Sequence, residues 1–192
     1  MFEVMVSEQG IRSLADVEEL GRRLQYAYSW TKGNAVEIGG GEGINTLHLL
    51  QVAQIKETTV IVVDPFEQIP GADESYFKPY TLERFKATIN AYPDLSKNML
   101  LIDLPSQHPD VKTDLQSWMP IGFMFIDGLQ DKESVLSDLL LAQQLETEII
   151  CVDDYDRLTE SSQVPLAVLE FLKVTMYKMV NIGKREIYFI RN

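Results

Sequence analysis

Four things are scarce in this chain of 192 residues: cysteine, histidine, positive charge and long apolar runs. The single cysteine, Cys151, rules out an internal disulfide framework. A lone thiol fits a reducing compartment, so a cytoplasmic location is expected. Apolar stretches such as residues 60–63 are far too short to cross a bilayer, and no membrane partner is expected. Lys and Arg total 17 against 29 Asp and Glu, for a net charge of −12. Phosphate-backbone binding depends on Lys and Arg displacing counterions. No long basic cluster exists, so nucleic acid is disfavoured as a partner. An acidic chain tolerates a cationic ligand or a metal ion better than a polyanion. Of the two histidines, His48 falls inside a helical pattern and reads as structural, and His108, in "SQHPD", reads as a loop residue. The stretch "MFEVMVSEQGIRSL" has no basic region followed by an apolar run, so no signal peptide is expected.

What is present is a regular alternation. Hydrophobic residues make up 45% of the chain, enough to bury a core without staples. Leu14, Val17, Leu20, Leu24 and Ala27 recur at helical spacing across residues 13–30. The runs "AVEIGG", "TTVIVVDP", "NMLLIDLP", "IGFMFIDG" and "EIICVDDY" read as buried strands. Between or after them, "INTLHLLQVAQI", residues 81–92, "DKESVLSDLLLAQQL" and "PLAVLEFLKV" read as helices. Leu82, Phe85, Ile89 and Tyr92 share one face of the second of these. Asp131 is placed to cap the third, and Pro165 sits in the first turn of the fourth. "MYKMVNIGKREIYFI" reads as two strands around a turn at "NIGK". Strand–helix alternation predicts a three-layer, doubly wound α/β fold with a mostly parallel seven-stranded sheet and an antiparallel C-terminal strand. The antiparallel member is expected at the sheet edge. One domain spanning 1–192 is expected: a helical lead-in (1–33), a ligand-binding core (34–156), and a closing helix with a strand pair (157–192). Trp30, Trp118 and Cys151 are expected in the core. The long irregular stretch 66–80 has the length of a lid or binding loop.

Ligands of open parallel sheets bind beyond the carboxyl ends of the strands. Here those ends carry acids. The first strand ends at Glu37 and the loop Gly39, Gly40, Gly41, Gly43; the second at Asp64-Pro65; the third near Asp103 and Ser106; the fourth at Asp127; the fifth at Asp153-Asp154. Buried acids cost free energy unless paired or bound to something, so five strands ending in acids at one end of a sheet point to a ligand. The nicotinamide fingerprint G-x-G-x-x-G wants a third glycine where this chain has Ile44. Asp64 suits the hydroxyls of a ribose, which serves more than one class of adenosine cofactor.

The E-x-G-x-G-x-G spacing from Glu37 to Gly43 resembles the first motif of class I S-adenosylmethionine-dependent methyltransferases. The resemblance implies that the glycine loop lies against the methionine part of the cofactor and that Glu37 anchors its amino-acid end. It implies adenine contacts near Asp103 and Ser106, with Asp127 also close to the cofactor. "FMFIDGLQDKESVLSDLLLA" resembles the D-G-x-H-x-Y-x-x-V-x-x-D-L segment of a bacterial subgroup that includes cephalosporin-hydroxylase-like and sugar O-methyltransferases. Asp127, Gly128, Val135, Asp138 and Leu139 stand where that pattern expects them. "VDDY" resembles the acidic pair of metal-dependent O-methyltransferases. Asp127, Asp153 and Asp154 are then a ligand set for one divalent ion, Mg²⁺, Ca²⁺ or Mn²⁺. The same residues also fit a plain turn at Asp127-Gly128 with Asp153 held by backbone amides. The resemblance covers about residues 34–156.

The chain departs from the subgroup at Gln130, where His is expected, and at Lys132, where Tyr is expected. With Asp127 these are the candidate catalytic residues. Gln cannot serve as a general base. Lys132 would need a lowered pKa, which an acidic site opposes. Tyr155 is placed to line a substrate pocket that Tyr76, Phe77 and Tyr80 would cover. The expected function is methyl transfer from S-adenosylmethionine to a hydroxyl of a small-molecule substrate, with a homodimer completing the pocket. Two alternatives stay open. Gln130 favours a non-catalytic protein that kept the cofactor pocket, and a nicotinamide-dependent oxidoreductase would need the third glycine.

Overall fold

The computed structural model describes the backbone of residues 14–17 and the whole of residues 18–66, 81–156, 162–180, 183 and 185–192. Leu14 and Val17 as side chains, the loop aromatics Tyr76, Phe77 and Tyr80, and most of the turn at 181–184 lie outside the described residues.

The elements run α1 (Leu14–Ser29), β1 (Asn34–Ile38), α2 (Ile44–Lys56), β2 (Val60–Val63), α3 (Leu82–Asn90), α4 (Pro93–Ser96), β3 (Met99–Ile102), α5 (Pro109–Gln116), β4 (Ile121–Ile126), α6 (Lys132–Gln144), β5 (Ile149–Val152), α7 (Val164–Phe171), β6 (Tyr177–Val180) and β7 (Ile187–Arg191). They form a seven-stranded sheet of order β3-β2-β1-β4-β5-β7-β6. β3, β2, β1, β4 and β5 pair in parallel, and β7 pairs antiparallel with both β5 and β6. The antiparallel strand is therefore inside the sheet, and β6 is at its edge. That corrects the expected edge position. β7 carries the buried run Ile187, Tyr188 and Phe189, whereas β6 exposes Lys178 and half-exposes Met179, so the more apolar strand takes the inner place.

Alternate strand residues feed two cores. Val36, Ile38, Ile61, Val63, Met124 and Ile126 face α5, α6 and α7. Ala35, Val60, Val62, Phe123 and Phe125 face α1, α2 and α3. β4 is buried at all six positions because it is covered on both faces. Each fully buried Val, Leu, Ile or Phe contributes about 1.5–3 kcal/mol of transfer free energy. Leu20, Leu24 and Ala27 are the buried stripe of α1, as their spacing predicted. Cys151 is fully buried. Trp30 is 71% exposed and stacks edge-on against Tyr26, and Trp118 is 37% exposed, so neither belongs to the core.

Asp131 accepts from the Ser134 N–H at 2.9 Å and caps α6. α5 was not anticipated from the sequence. It is eight residues long and buries only Val111 and Leu115, too short a pattern to register as a period. His108 is its N-cap, with Nδ1 accepting from the Asp110 N–H at 3.3 Å, rather than an ordinary loop residue. His48 on α2 presses its ring against Gly21 of α1, where a β-carbon would collide with it. It is a helix-packing residue, and burial lowers its pKa.

Candidate functional site

The strand registers set the site. Ile38 is level with Val63 and with Ile126, Val63 with Ile102, and Ile126 with Val152. The next residue on each strand is therefore on one row: Asp103, Asp64, Gly39, Asp127 and Asp153. The row lies where the strand order turns outward on either side of β1 and β4, the usual ligand crevice of a doubly wound sheet.

Glu37 is fully buried on the face that packs against α2. One carboxylate oxygen accepts from Thr46 Oγ1 on the first turn of that helix. The other, Oε1, has no hydrogen-bond partner among the described residues. Burial raises the Glu37 pKa well above the usual carboxylate value; Thr46 opposes that shift, and the charges of Asp127 and Asp64 add to it. A buried acceptor of this kind calls for a donor from outside the chain. Thr46 was not anticipated, although it lies one helical turn into the segment that follows the glycines.

The glycine loop is shaped by positive φ at Gly39 (91°), Gly41 (51°) and Gly43 (83°). At Gly39 a β-carbon would collide with the Asp127 carbonyl oxygen and come within 2.8 Å of Gly128 Cα. So the first glycine permits close passage of the β1 and β4 loops as well as approach to a ligand. Asp64 stitches the loop down. Its Oδ2 accepts from the N–H groups of Gly40 (2.8 Å) and Gly41 (3.2 Å), and its Oδ1 from Phe66 N–H (2.7 Å). Burial raises its pKa, these three N–H groups pull it back down, and the Asp103 charge adds to the rise. Pro65 follows in the half-buried turn, and the Phe66 ring rests on Phe85 at 4.9 Å.

The third strand end departs from expectation in one respect. Asp103 is exposed, near Asp64. Ser106, expected as an adenine contact, donates its hydroxyl to Asp138 of α6. Asp138 is buried and also accepts from Gln107 Nε2 at 3.4 Å. The loop after β3 is thus tied to α6 through an acid.

Oxygens of Asp127, Asp153 and Asp154 lie within 4.8 Å of one another. Asp153 and Asp154 are almost fully buried. Asp127, Leu129, Gln130, Val152, Asp153 and Val164 line a small cleft above the ends of β4 and β5. Asp154 has φ 55° and turns its carboxylate towards β7. There its Oδ1 is ion-paired to Arg185, and its Oδ2 accepts from Gln130 Nε2. Arg185 was missed in the sequence because it stands outside the motifs, just before the last strand. Gln130 thus supports Asp154. Lys132 opens α6, and its charge acts on Glu170 of α7. Tyr155 packs partly buried against the core on the α6–α7 side of the sheet, and its N–H donates to Arg185 O at 2.7 Å.

As a site for an adenosine cofactor the arrangement has an acceptor at β2, an orphaned buried acceptor at β1, and a loop of small residues between them. Asp64, Asp103 and Asp127 set carboxylates around the loop, and Arg84 near it is paired with Glu42 at 3.2 Å. A pyrophosphate would meet repulsion there, whereas a cationic ligand would not. No helix of the described residues is long and apolar enough to cross a membrane.

No curated protein matches the sequence. Among solved structures, the fold is shared with cofactor-bound Rv0187 from MTB (TM-score 0.68, 16% identity, covering 96% of this chain and 84% of that one). It is shared with CalS11, a TDP-rhamnose 3′-O-methyltransferase in calicheamicin biosynthesis (TM-score 0.61, 16% identity, 92% and 79% covered). It is shared too with TomG, an O-methyltransferase from Streptomyces achromogenes involved in tomaymycin synthesis and solved in complex with SAM (TM-score 0.63, 11% identity, 95% and 82% covered). At these identities the likeness establishes the fold alone. A family model described as a methyltransferase domain matches residues 36–155. That segment exceeds half the chain and takes in the glycine loop, Asp64, Asp127 and the Asp153-Asp154 pair, and so the chain belongs to the methyltransferase-domain family.

Proposed function

We propose that the chain transfers a methyl group from S-adenosylmethionine to a hydroxyl oxygen of a small molecule. The observation that carries the reading is the buried, half-partnered Glu37 beside the glycine loop. An α-ammonium group, directly or through water, satisfies Oε1, and its positive charge favours the ionised form of Glu37 that burial alone opposes. S-adenosylmethionine, when bound, supplies a methyl group on a cationic sulfonium. Asp64 is the acceptor at the β2 end for the ribose hydroxyls, and Asp103 stands beside it at the β3 end for the adenine. The acidic loop disfavours the pyrophosphate of a nicotinamide cofactor. The structural neighbours CalS11 and TomG are O-methyltransferases and support oxygen as the acceptor atom.

In the chemical step the substrate oxygen attacks the methyl carbon, the carbon–sulfur bond breaks, and the sulfur leaves neutral. The hydroxyl proton must go to a nearby base. Asp127 lines the cleft at the end of β4, and in this reading it takes the proton. Gln130 has no basic lone pair, and its amide is committed to Asp154. Lys132 acts electrostatically on Glu170 and takes no part in this scheme. A divalent ion fits this chain less well than the motif suggests. Asp154, one of the three expected ligands, already holds a guanidinium. Completion of the pocket by a second copy belongs to the same reading.

Transfer of labelled methyl from S-adenosylmethionine to a panel of catechol, sugar and polyketide hydroxyls tests the proposal. Asp127→Asn is expected to lower turnover about 100-fold. Cofactor binding without transfer to any acceptor would favour the non-catalytic alternative that Gln130 suggests. Transfer undiminished in Asp127→Asn would remove Asp127 from the mechanism.

A further inference from the structure

β7 runs antiparallel to its neighbour, so it begins where the parallel strands end. The β5–β7 register pairs Val152 with Ile187 and Cys151 with Tyr188. Continued beyond the strands, it brings Glu186 opposite Asp153 and Arg185 opposite Asp154. The contacts bear this out: Tyr155 N–H donates to Arg185 O at 2.7 Å, and the Arg185 guanidinium is ion-paired to Asp154 Oδ1. The pair is well shielded, with side chains 22% and 6% exposed. Arg185 Nε lies 3.9 Å from Asp156 Oδ1, and Glu186, on the opposite side of the chain, is buried in an ion pair with Arg23 of α1. Neighbouring residues are thus anchored in two directions, which fixes the backbone that presents the guanidinium.

We propose that Arg185 is the resident cation of the Asp127, Asp153 and Asp154 cluster and stands in for the divalent ion that this carboxylate set would otherwise hold. Gln130 completes the arrangement by donating to the second oxygen of Asp154. The guanidinium keeps its charge at any working pH, so unlike a bound ion it cannot be removed by a chelator. Two consequences follow. The cluster resists divalent cations, because an incoming ion meets a fixed positive charge and one carboxylate already engaged. Methyl transfer is independent of divalent metal, and Arg185 acts as a positioning residue that holds Asp154 and Gln130 beside the cleft. The second consequence rests on the methyltransferase reading; the first does not.

The test is a titration of Mn²⁺ into the full chain, read by the paramagnetic signal of the free ion, without cofactor or substrate. The wild type is expected to show no saturable site tighter than roughly millimolar. Arg185→Met is expected to gain one site per chain at least ~10-fold tighter, and Arg185→Met with Asp153→Asn to lose it again. Arg185→Lys keeps a positive charge and is expected to behave as the wild type, which serves if the Met variant does not fold. Saturable Mn²⁺ binding by the wild type that Asp153→Asn alone abolishes would overturn the proposal. So would a folded Arg185→Met that gains no site. Methyl transfer by the wild type is expected to be unchanged in excess EDTA, and a loss of more than about tenfold restored by Mg²⁺ would count against it. S-adenosylhomocysteine binding in EDTA separates the two readings: its absence would remove the methyltransferase reading and leave the Mn²⁺ titration to decide Arg185.

Discussion

Gly39→Ala is expected to lose about 3 kcal/mol or more of stability, together with cofactor binding. At φ 91° a β-carbon is strained whatever the space around it, at a cost of about 1–2 kcal/mol. Here the space is also taken. The carbon would come within 2.6 Å of the Asp127 carbonyl carbon, and overpacking of that kind adds about 1–3 kcal/mol. The obstacle is backbone, held by Asp127 N–H donating to Ile38 O at 2.8 Å, so it cannot rotate away. Gly40→Ala is the contrast in backbone conformation: its φ is not positive, and its β-carbon would meet a buried Val62 methyl at 2.8 Å, so about 1–3 kcal/mol from overpacking alone is expected. Denaturant midpoints of the two variants check this. Equal midpoints would mean that the loop adapts and that the close passage of β1 and β4 does not fix it.

The second large effect is on the pH dependence of stability. Asp138 lies on the buried face of α6, 1% exposed, bonded to Ser106 and Gln107. Burial pushes its pKa from 3.8 up to about 7; the Ser106 hydroxyl pulls downward, and the Asp131 charge adds to the rise. A folded pKa above the unfolded one means that the folded state holds this proton more tightly. The stabilisation is fully present below about pH 4 and is lost as pH rises through about 7. The span corresponds to ~4 kcal/mol. Asp138→Asn removes the titration and keeps the shape, so the variant is expected to overtake the wild type in stability above neutral pH. Glu37 contributes a slope of the same sign, which is why the difference between the two proteins is the informative quantity. Unfolding free energies from pH 4 to 8 that run parallel for both would contradict this account of Asp138.

The parallel part of the site was legible in the sequence for a physical reason. In a parallel sheet with level registers, the residue after each buried strand lands on one row. Reading the acids after "VIVV", "FMFI" and "IICV" therefore located Asp64, Asp127 and Asp153 without coordinates. Arg185 was not legible in that way. It precedes its strand rather than following it, and only the antiparallel return of β7 carries it to the same end of the sheet. Ser106 was placed in the right loop with another partner, because the acid that claims its hydroxyl is 32 residues further on in α6. Gln130 carried the expectation of a catalytic position, and its amide instead completes the hydrogen bonding of Asp154. Trp30 and Trp118, expected in the core, are both exposed, Trp30 resting edge-on against Tyr26 just beyond the end of α1.

The central claim is that the crevice holds an amino-acid-bearing sulfonium cofactor. Titration calorimetry of the full chain with S-adenosylhomocysteine and, separately, with NADH tests it most directly. The account predicts one S-adenosylhomocysteine per chain, no measurable NADH, and an affinity for the former that falls about tenfold or more in Asp64→Ala as its hydrogen bonds are lost. Binding of NADH in the absence of S-adenosylhomocysteine binding would contradict it.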